Sequence, residues 1–166
     1  MSRVGKVAAA GVCGGILGMV AGLFTAIPAT AEAAPGPVLV GDTAYFALGD
    51  WNCAIRADGT VGCDLADPAA SMNVLYAGIQ VPVPNVPAII VDSKTLPARP
   101  HWDSNGSHTL PGGNPELPRF AAVHYHDPQY SFTYAGANCQ ITFKGVAVCT
   151  SMGHGFSQWG PVPFGY

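Results

Sequence analysis

The chain has 166 residues, 49% of them hydrophobic, with seven basic and ten acidic side chains and a formal net charge of −3. So weak and slightly acidic a balance carries no electrostatic footprint for nucleic acid and no basic cluster for anionic lipid. Twenty-one glycines and fifteen prolines argue against long helices and for short elements joined by turns.

Arg3 and Lys6 precede an apolar run from Val7 to Ile27, which Pro28 ends. Ala29-Thr30-Ala31 and Ala31-Glu32-Ala33 each place small residues at the −3 and −1 positions, the layout of a secretory signal peptide. We therefore assign residues 1–33 to a signal and 34–166 to a single secreted β-domain. The run is also long enough to span a bilayer, with Gly14, Gly18 and Gly22 as a small-residue packing face, so a retained anchor is the rival. Its Gly and Ala content makes it only moderately hydrophobic, which favours cleavage and no stable membrane span afterwards. Cys13 lacks the large aliphatic residue three places upstream that a lipidation site needs, and it leaves with the signal. The remainder keeps five basic side chains, nine acids (ten less Glu32) and four cysteines. An even count in an exported chain fits two disulfides.

Strand-like runs follow in order. They are Val38–Val40, Thr43–Leu48, Asn52–Ala57, Thr60–Leu65, Gly78–Val81, Ala88–Asp92, Phe120–His124, Tyr130–Tyr134, Asn138–Phe143 and Val146–Thr150. Only Asp67–Leu75 allows a short helix. Prolines 82, 84 and 87 favour polyproline II or an edge strand. They open a Pro/Gly-rich crossover over 82–118, whose later part, from Leu96, is loop-like. A loop this long in a compact domain is usually functional or disordered. Asn105-Gly106-Ser107 within it matches a glycosylation acceptor. The fold class is all-β, a small sandwich or barrel with long Pro/Gly-rich loops.

A ten-residue cysteine spacing occurs twice with its surroundings. Asn52, Cys53, Ile55, Gly59 and Cys63 recur 86 residues later as Asn138, Cys139, Ile141, Gly145 and Cys149, and Phe46 recurs as Phe132. A three-residue hairpin loop ending in a positive-φ glycine places Gly59 and Gly145 at that position. Counting outward pairs Cys53 with Cys63 and Cys139 with Cys149. Both fall on non-hydrogen-bonded pairs, whose Cα atoms approach to roughly 4.5 Å. The two hairpins, 52–64 and 138–150, are therefore disulfide-clipped. One pseudo-symmetric domain should pack Ile55, Val61, Ile141 and Phe46 or Phe132 inward.

Three chemistries compete. His124 and His126 lie two apart on a predicted strand, so both imidazoles share a face and can meet one metal ion. Asp127, Asp103, His101, His108 and His154 are the candidate third ligands. Trp51, Trp102 and Trp159 are candidates to line a ligand groove. The hairpin loops Arg56–Thr60 and Thr142–Val146 could be presented to a protease as an inhibitor. Gly155-Phe156-Ser157-Gln158-Trp159 begins like a nucleophile elbow, but Trp159 stands where the second glycine belongs and no helix follows. The acids are too scattered to identify a glycosidase pair. No catalytic residue and no cofactor is assigned.

The export signal, the paired Cys-x9-Cys hairpins and the ending Cys149-Thr150-Ser151-Met152-Gly153-His154-Gly155-Phe156 resemble small secreted proteins of unknown function from mycolic-acid-containing actinobacteria. The resemblance implies a secreted or envelope-associated life, with an envelope component or a secreted protein as partner, and no known reaction. The expectation is a non-enzymatic binding or structural domain.

Overall fold

The computed structural model describes residues 36–68, 70–117, 130–142 and 145–166. Strict alternation makes the first long strand a half-buried one. In β2 (Thr43–Leu48), Ala44, Phe46 and Leu48 are buried while Thr43, Tyr45 and Ala47 face outward. β1 (Val38–Val40) pairs with its amino-terminal half. β3 (Trp51–Arg56), β4 (Val61–Asp64), β7 (Ala88–Val91) and the short β8 (Arg99–Pro100) complete a six-stranded sheet in the order β1-β2-β3-β4-β7-β8.

The second sheet has seven strands. They are β5 (Met72–Tyr76), β6 (Ile79–Val83), β9 (Tyr130–Tyr134), β10 (Ala137–Ile141), β11 (Ala147–Ser151), β12 (His154–Gln158) and β13 (Pro163–Gly165). Their order is β6-β5-β13-β12-β11-β10-β9. All neighbours in both sheets are antiparallel except β13 and β5. The 86-residue repeat is thus a pair of meanders, β2-β3-β4-β7 and β9-β10-β11-β12, one per sheet. The β5–β6 hairpin lies between β4 and β7 in sequence yet joins the other sheet, so the two halves interlock.

The core sits between the sheets. Phe46, Cys53, Cys63 and Ile89 form one cross-strand row, and Phe132, Cys139, Cys149 and Phe156 form the corresponding row of the other sheet. The Phe46 and Phe132 rings meet at 5.2 Å, and Trp51 packs on Phe156 at 5.9 Å. Ile55 and Val61 are fully buried and Ile141 nearly so. Both disulfides form as the spacing predicts, with Cα separations of 4.0 Å for Cys53–Cys63 and 4.1 Å for Cys139–Cys149. The sulfurs of Cys53, Cys63 and Cys149 lie within 4.8 Å of one another, so the two clips rest against each other.

Several expectations are corrected. The stretch Asp67–Leu75 is not helical. Met72 and Val74 alternate inward, and β5 finds partners on both sides in β6 and β13. The edge-strand expectation for Pro82 holds: it sits in β6, at the end of its sheet, whose outer side needs no amide donor. The carboxy-terminal strands β12 and β13 and the short β8 carry no hydrophobic alternation of their own and are defined by their neighbours. The expected strand Phe120–His124 lies outside the described residues.

The two turns have matching hydrogen bonds. Gly59 N–H donates to Arg56 O at 2.9 Å, and Gly145 N–H to Thr142 O at 2.9 Å. Their φ values are 86° and 74°. Their surroundings differ. A Cβ on Gly59 would lie 3.0 Å from the Ala135 carbonyl oxygen, whereas a Cβ on Gly145 meets nothing within 4 Å. Gly145→Ala should therefore cost only the left-handed backbone penalty, roughly 1–2 kcal/mol. Gly59→Ala should cost measurably more in urea denaturation. Equal losses would contradict the packing of the first hairpin tip on the second sheet.

Candidate functional site

The outward residues of the first sheet form rows set by the strand register. Thr43 and Arg56 face each other, with Thr60 beyond Arg56 at the hairpin end. The next row runs Tyr45, Ala54, Gly62, Ile90 and Arg99. The one after it runs Ala47, Asn52, Asp64 and Ala88. The loop after β8, through residue 117, lies over that third row and puts the His108 ring on Gly62 of the second, leaving Thr43, Tyr45 and Arg56 as the accessible rim of a hollow.

Asn114 pins the loop. Its backbone N–H donates to Asn52 Oδ1 at 2.9 Å. Its Nδ2 donates to Phe46 O (3.2 Å), Cys53 O (2.9 Å) and His108 O (2.7 Å). Its Oδ1 accepts from Leu110 N–H at 2.8 Å. Ala47 N–H donates to Pro115 O at 2.7 Å, extending the strand edge beyond β1. Asp64 Oδ2 accepts from His108 N–H (3.1 Å) and Thr109 Oγ1 (2.7 Å). The crossover is thus an ordered cover rather than a structureless linker.

His108 is the keystone of this cover. Its imidazole lies directly on Gly62, where any Cβ would collide with the ring. Only 7% of the residue is exposed. Its Nε2 is 3.0 Å from His101 Nδ1, one ring donating and the other accepting. Burial pushes the His108 imidazole down from 6.5 to about 4. The Asp64 carboxylate opposes that shift, while His101 and Arg56 add to it. At neutral pH His108 is therefore an uncharged ring.

A cavity of about 250 Å³ opens beside this pair. Thr43, Tyr45, Ala54, Arg56, Thr60, Gly62 and Ile90 line it from the sheet, and His101, Ser107 and His108 from the loop. The hairpin tip at its edge is fixed. Asp58 Oδ1 accepts from Thr60 N–H at 2.8 Å, and Ser151 Oγ donates to Gly59 O at 2.6 Å. The hydrogen bonds from Thr60 hold the Asp58 carboxyl below its usual range.

The residues singled out in the sequence are distributed differently. His124, His126 and Asp127 lie outside the described residues. Trp51 is 3% exposed and belongs to the core, so it cannot line a groove. Trp102 is exposed with Nε1–H donating to Asn85 O at 3.0 Å, and Trp159, the residue after β12, is exposed. Thus the expected tryptophan trio does not assemble. Among the described residues the one three-ligand cluster of metal-binding type is Cys53, Cys63 and Cys149, all committed to disulfides. Sequence reasoning missed Arg56, the His101–His108 pair as a unit, and Asn114. The recurrence of Asn52 was a signal for the last, since its side chain receives the loop.

No family model, no curated protein and no solved structure matches the chain.

Because the folded pKa of His108 is depressed, the unfolded chain takes its proton first as pH falls. The stability due to neutral His108 is full above about 6.5 and is lost as pH drops towards about 4. The loss is on the order of 3 kcal/mol. Urea denaturation at pH 7.5 and 4.5 should show this fall in the parent and a much smaller one in His108→Gln. The comparison isolates His108 from carboxylates such as Asp58, which titrate in both proteins. Identical pH dependence would contradict the burial of a neutral ring. Gly62→Ala should cost about 1–3 kcal/mol, because the ring above it must move.

Proposed function

We propose that this protein is a non-enzymatic, exported binding domain of the extracellular space or cell envelope, and that the cavity over the first sheet is its ligand seat. The observation that carries this reading is the covering loop. It is fastened to the sheet by Asn114 and Asp64, and it leaves Thr43, Tyr45 and Arg56 of the two outward rows accessible beside it. A loop serving only to cap the sheet would close over these three side chains as well. Two buried disulfides suit an oxidising compartment. Among the described residues no helix is long and apolar enough to cross a membrane.

A holding role is supported over a reacting one because the two imidazoles at the cavity bond each other rather than an activated hydroxyl. The inhibitor reading loses support at the first hairpin. Gly59 and Thr60 are buried and Ser151 holds the tip to the second sheet, leaving Arg56, Ala57 and Asp58 as the exposed part of the loop.

The test is amide NMR of the disulfide-bonded protein against a panel of monosaccharides, sugar acids, sugar phosphates and amino acids. Saturable shifts should cluster at Thr43, Tyr45, Ala54, Gly62, His101 and Ser107. Shifts confined to the β5–β6 hairpin or to the surroundings of Trp159 would overturn the assignment.

A further inference from the structure

We propose that the cavity is an oxyanion seat, in which Arg56 receives the carboxylate or phosphate of a monosaccharide-sized ligand and the surrounding hydroxyls hold its sugar. This rests on the reading of the cavity as a ligand seat and gives that ligand its chemical class.

Charge is the first support. Of the ten residues lining the cavity, Arg56 alone carries a permanent charge, and none is a carboxylate. This is a local reversal of sign in a chain of net charge −3. Nearby acids are engaged elsewhere. Asp58 is turned into its own hairpin, accepting from Thr60 N–H. Asp64 Oδ2 accepts from the loop amide of His108 and from Thr109, while its Oδ1 is buried with no hydrogen-bond partner. Arg99, next to Ile90 in the same row, is already paired with Asp92 at 2.6 Å, and this is the only ion pair among the described residues. Arg56 thus forms no ion pair, although the Asp58 carboxylate two residues on lies within its electrostatic reach.

Position is the second support. Arg56 stands between Thr43 and Thr60 at the end of a hairpin fixed by its turn, its disulfide and the Ser151 bond. A guanidinium fork on a fixed strand suits two oxygens of a carboxylate or phosphate.

The remaining lining defines the rest of the ligand. Thr43, Tyr45, Thr60 and Ser107 offer hydroxyls that both donate and accept, as sugar hydroxyls require. Ala54 and Ile90 supply an apolar floor for a C–H face. If His108 donates to His101 Nδ1, His101 is left as a donor at Nε2, a further partner for an oxygen. A volume of about 250 Å³ lies below the usual 300–1,000 Å³ of pockets for drug-sized ligands, so one sugar ring is the right size.

The experiment is isothermal titration of the full, disulfide-bonded chain with D-glucuronate, glucose 6-phosphate and D-glucose at fixed ionic strength, with amide NMR alongside. At least one anion should bind tenfold or more tightly than glucose and weaken with added salt. Preference for glucuronate identifies a carboxylate as the anion, and preference for glucose 6-phosphate a phosphate. Arg56→Gln should abolish the advantage, Arg56→Lys should keep part of it, and Lys94→Gln should leave it unchanged. If Arg56→Gln fails to fold, the lysine variant and the salt dependence of the parent decide. Glucose binding in the cavity as tightly as both anions would overturn the oxyanion seat while leaving the ligand seat standing. An anion advantage that survives in folded Arg56→Gln would also overturn it. Failure of all three probes to shift Thr43, Tyr45, Gly62 and His101 would remove both.

Discussion

The structure is organised around two disulfides that rest against each other between the sheets. Each clips the central hairpin of one meander, and the sulfurs of Cys53, Cys63 and Cys149 lie within 4.8 Å of one another. The constraint acts in two directions. Along each sheet it fixes register, since Cys53 can face only Cys63 and Cys139 only Cys149. A slip of one residue would turn every inward side chain to the other face. Across the sheets it sets which strands meet, and Phe46 on Phe132 and Trp51 on Phe156 fill the space beside the sulfurs. Chain-entropy considerations give each closed loop a worth of roughly 2.5–3 kcal/mol. That is a substantial fraction of the stability of a small domain.

The candidate site is the outer face of the same strands. Because side chains alternate, the register that places Cys53, Ile55, Val61 and Cys63 inward must place Ala54, Arg56 and Gly62 outward in neighbouring rows. Gly62 has a special part in this arrangement. Lacking a side chain, it lets the His108 ring lie on the backbone of β4, and that ring in turn carries His101 and the loop wall. The cavity is therefore built on the most constrained part of the molecule, with a covering loop fastened at several hydrogen bonds. The structural core and the proposed ligand seat are two faces of one clipped hairpin.

Much of this was legible in the sequence, and the boundary is physical. The hairpins were readable because turn glycines, cysteine spacing and alternation each report on residues close in the chain. Phe46 and Phe132 as inward partners followed from the same repeat. The crossing of β5–β6 into the second sheet was not readable. It depends on a parallel pairing of Asn73 with Phe164 and Val74 with Gly165, residues about ninety positions apart. The site was legible only in pieces. His101 and His108 carry no periodic signal, and their partnership exists because Asp64 and Asn114 fold the loop back. Trp51 reads as a groove residue by type and is a core residue by register, two places from Cys53 on the inward face. Arg56 is legible only as the first residue of the hairpin loop Arg56–Thr60, because the wall beside it comes from a loop about fifty residues on.

The central claim is that the clipped hairpin and its covering loop together form a seat for a small ligand. The most direct measurement is a crystal structure of the disulfide-bonded protein purified from its native source without refolding. The account predicts electron density for a small molecule between Arg56, Tyr45 and His101, with the loop held by Asn114 as described here. Density seated instead on the β5–β6 hairpin, or a loop lifted from Gly62 with Arg56 turned away to solvent, would contradict it.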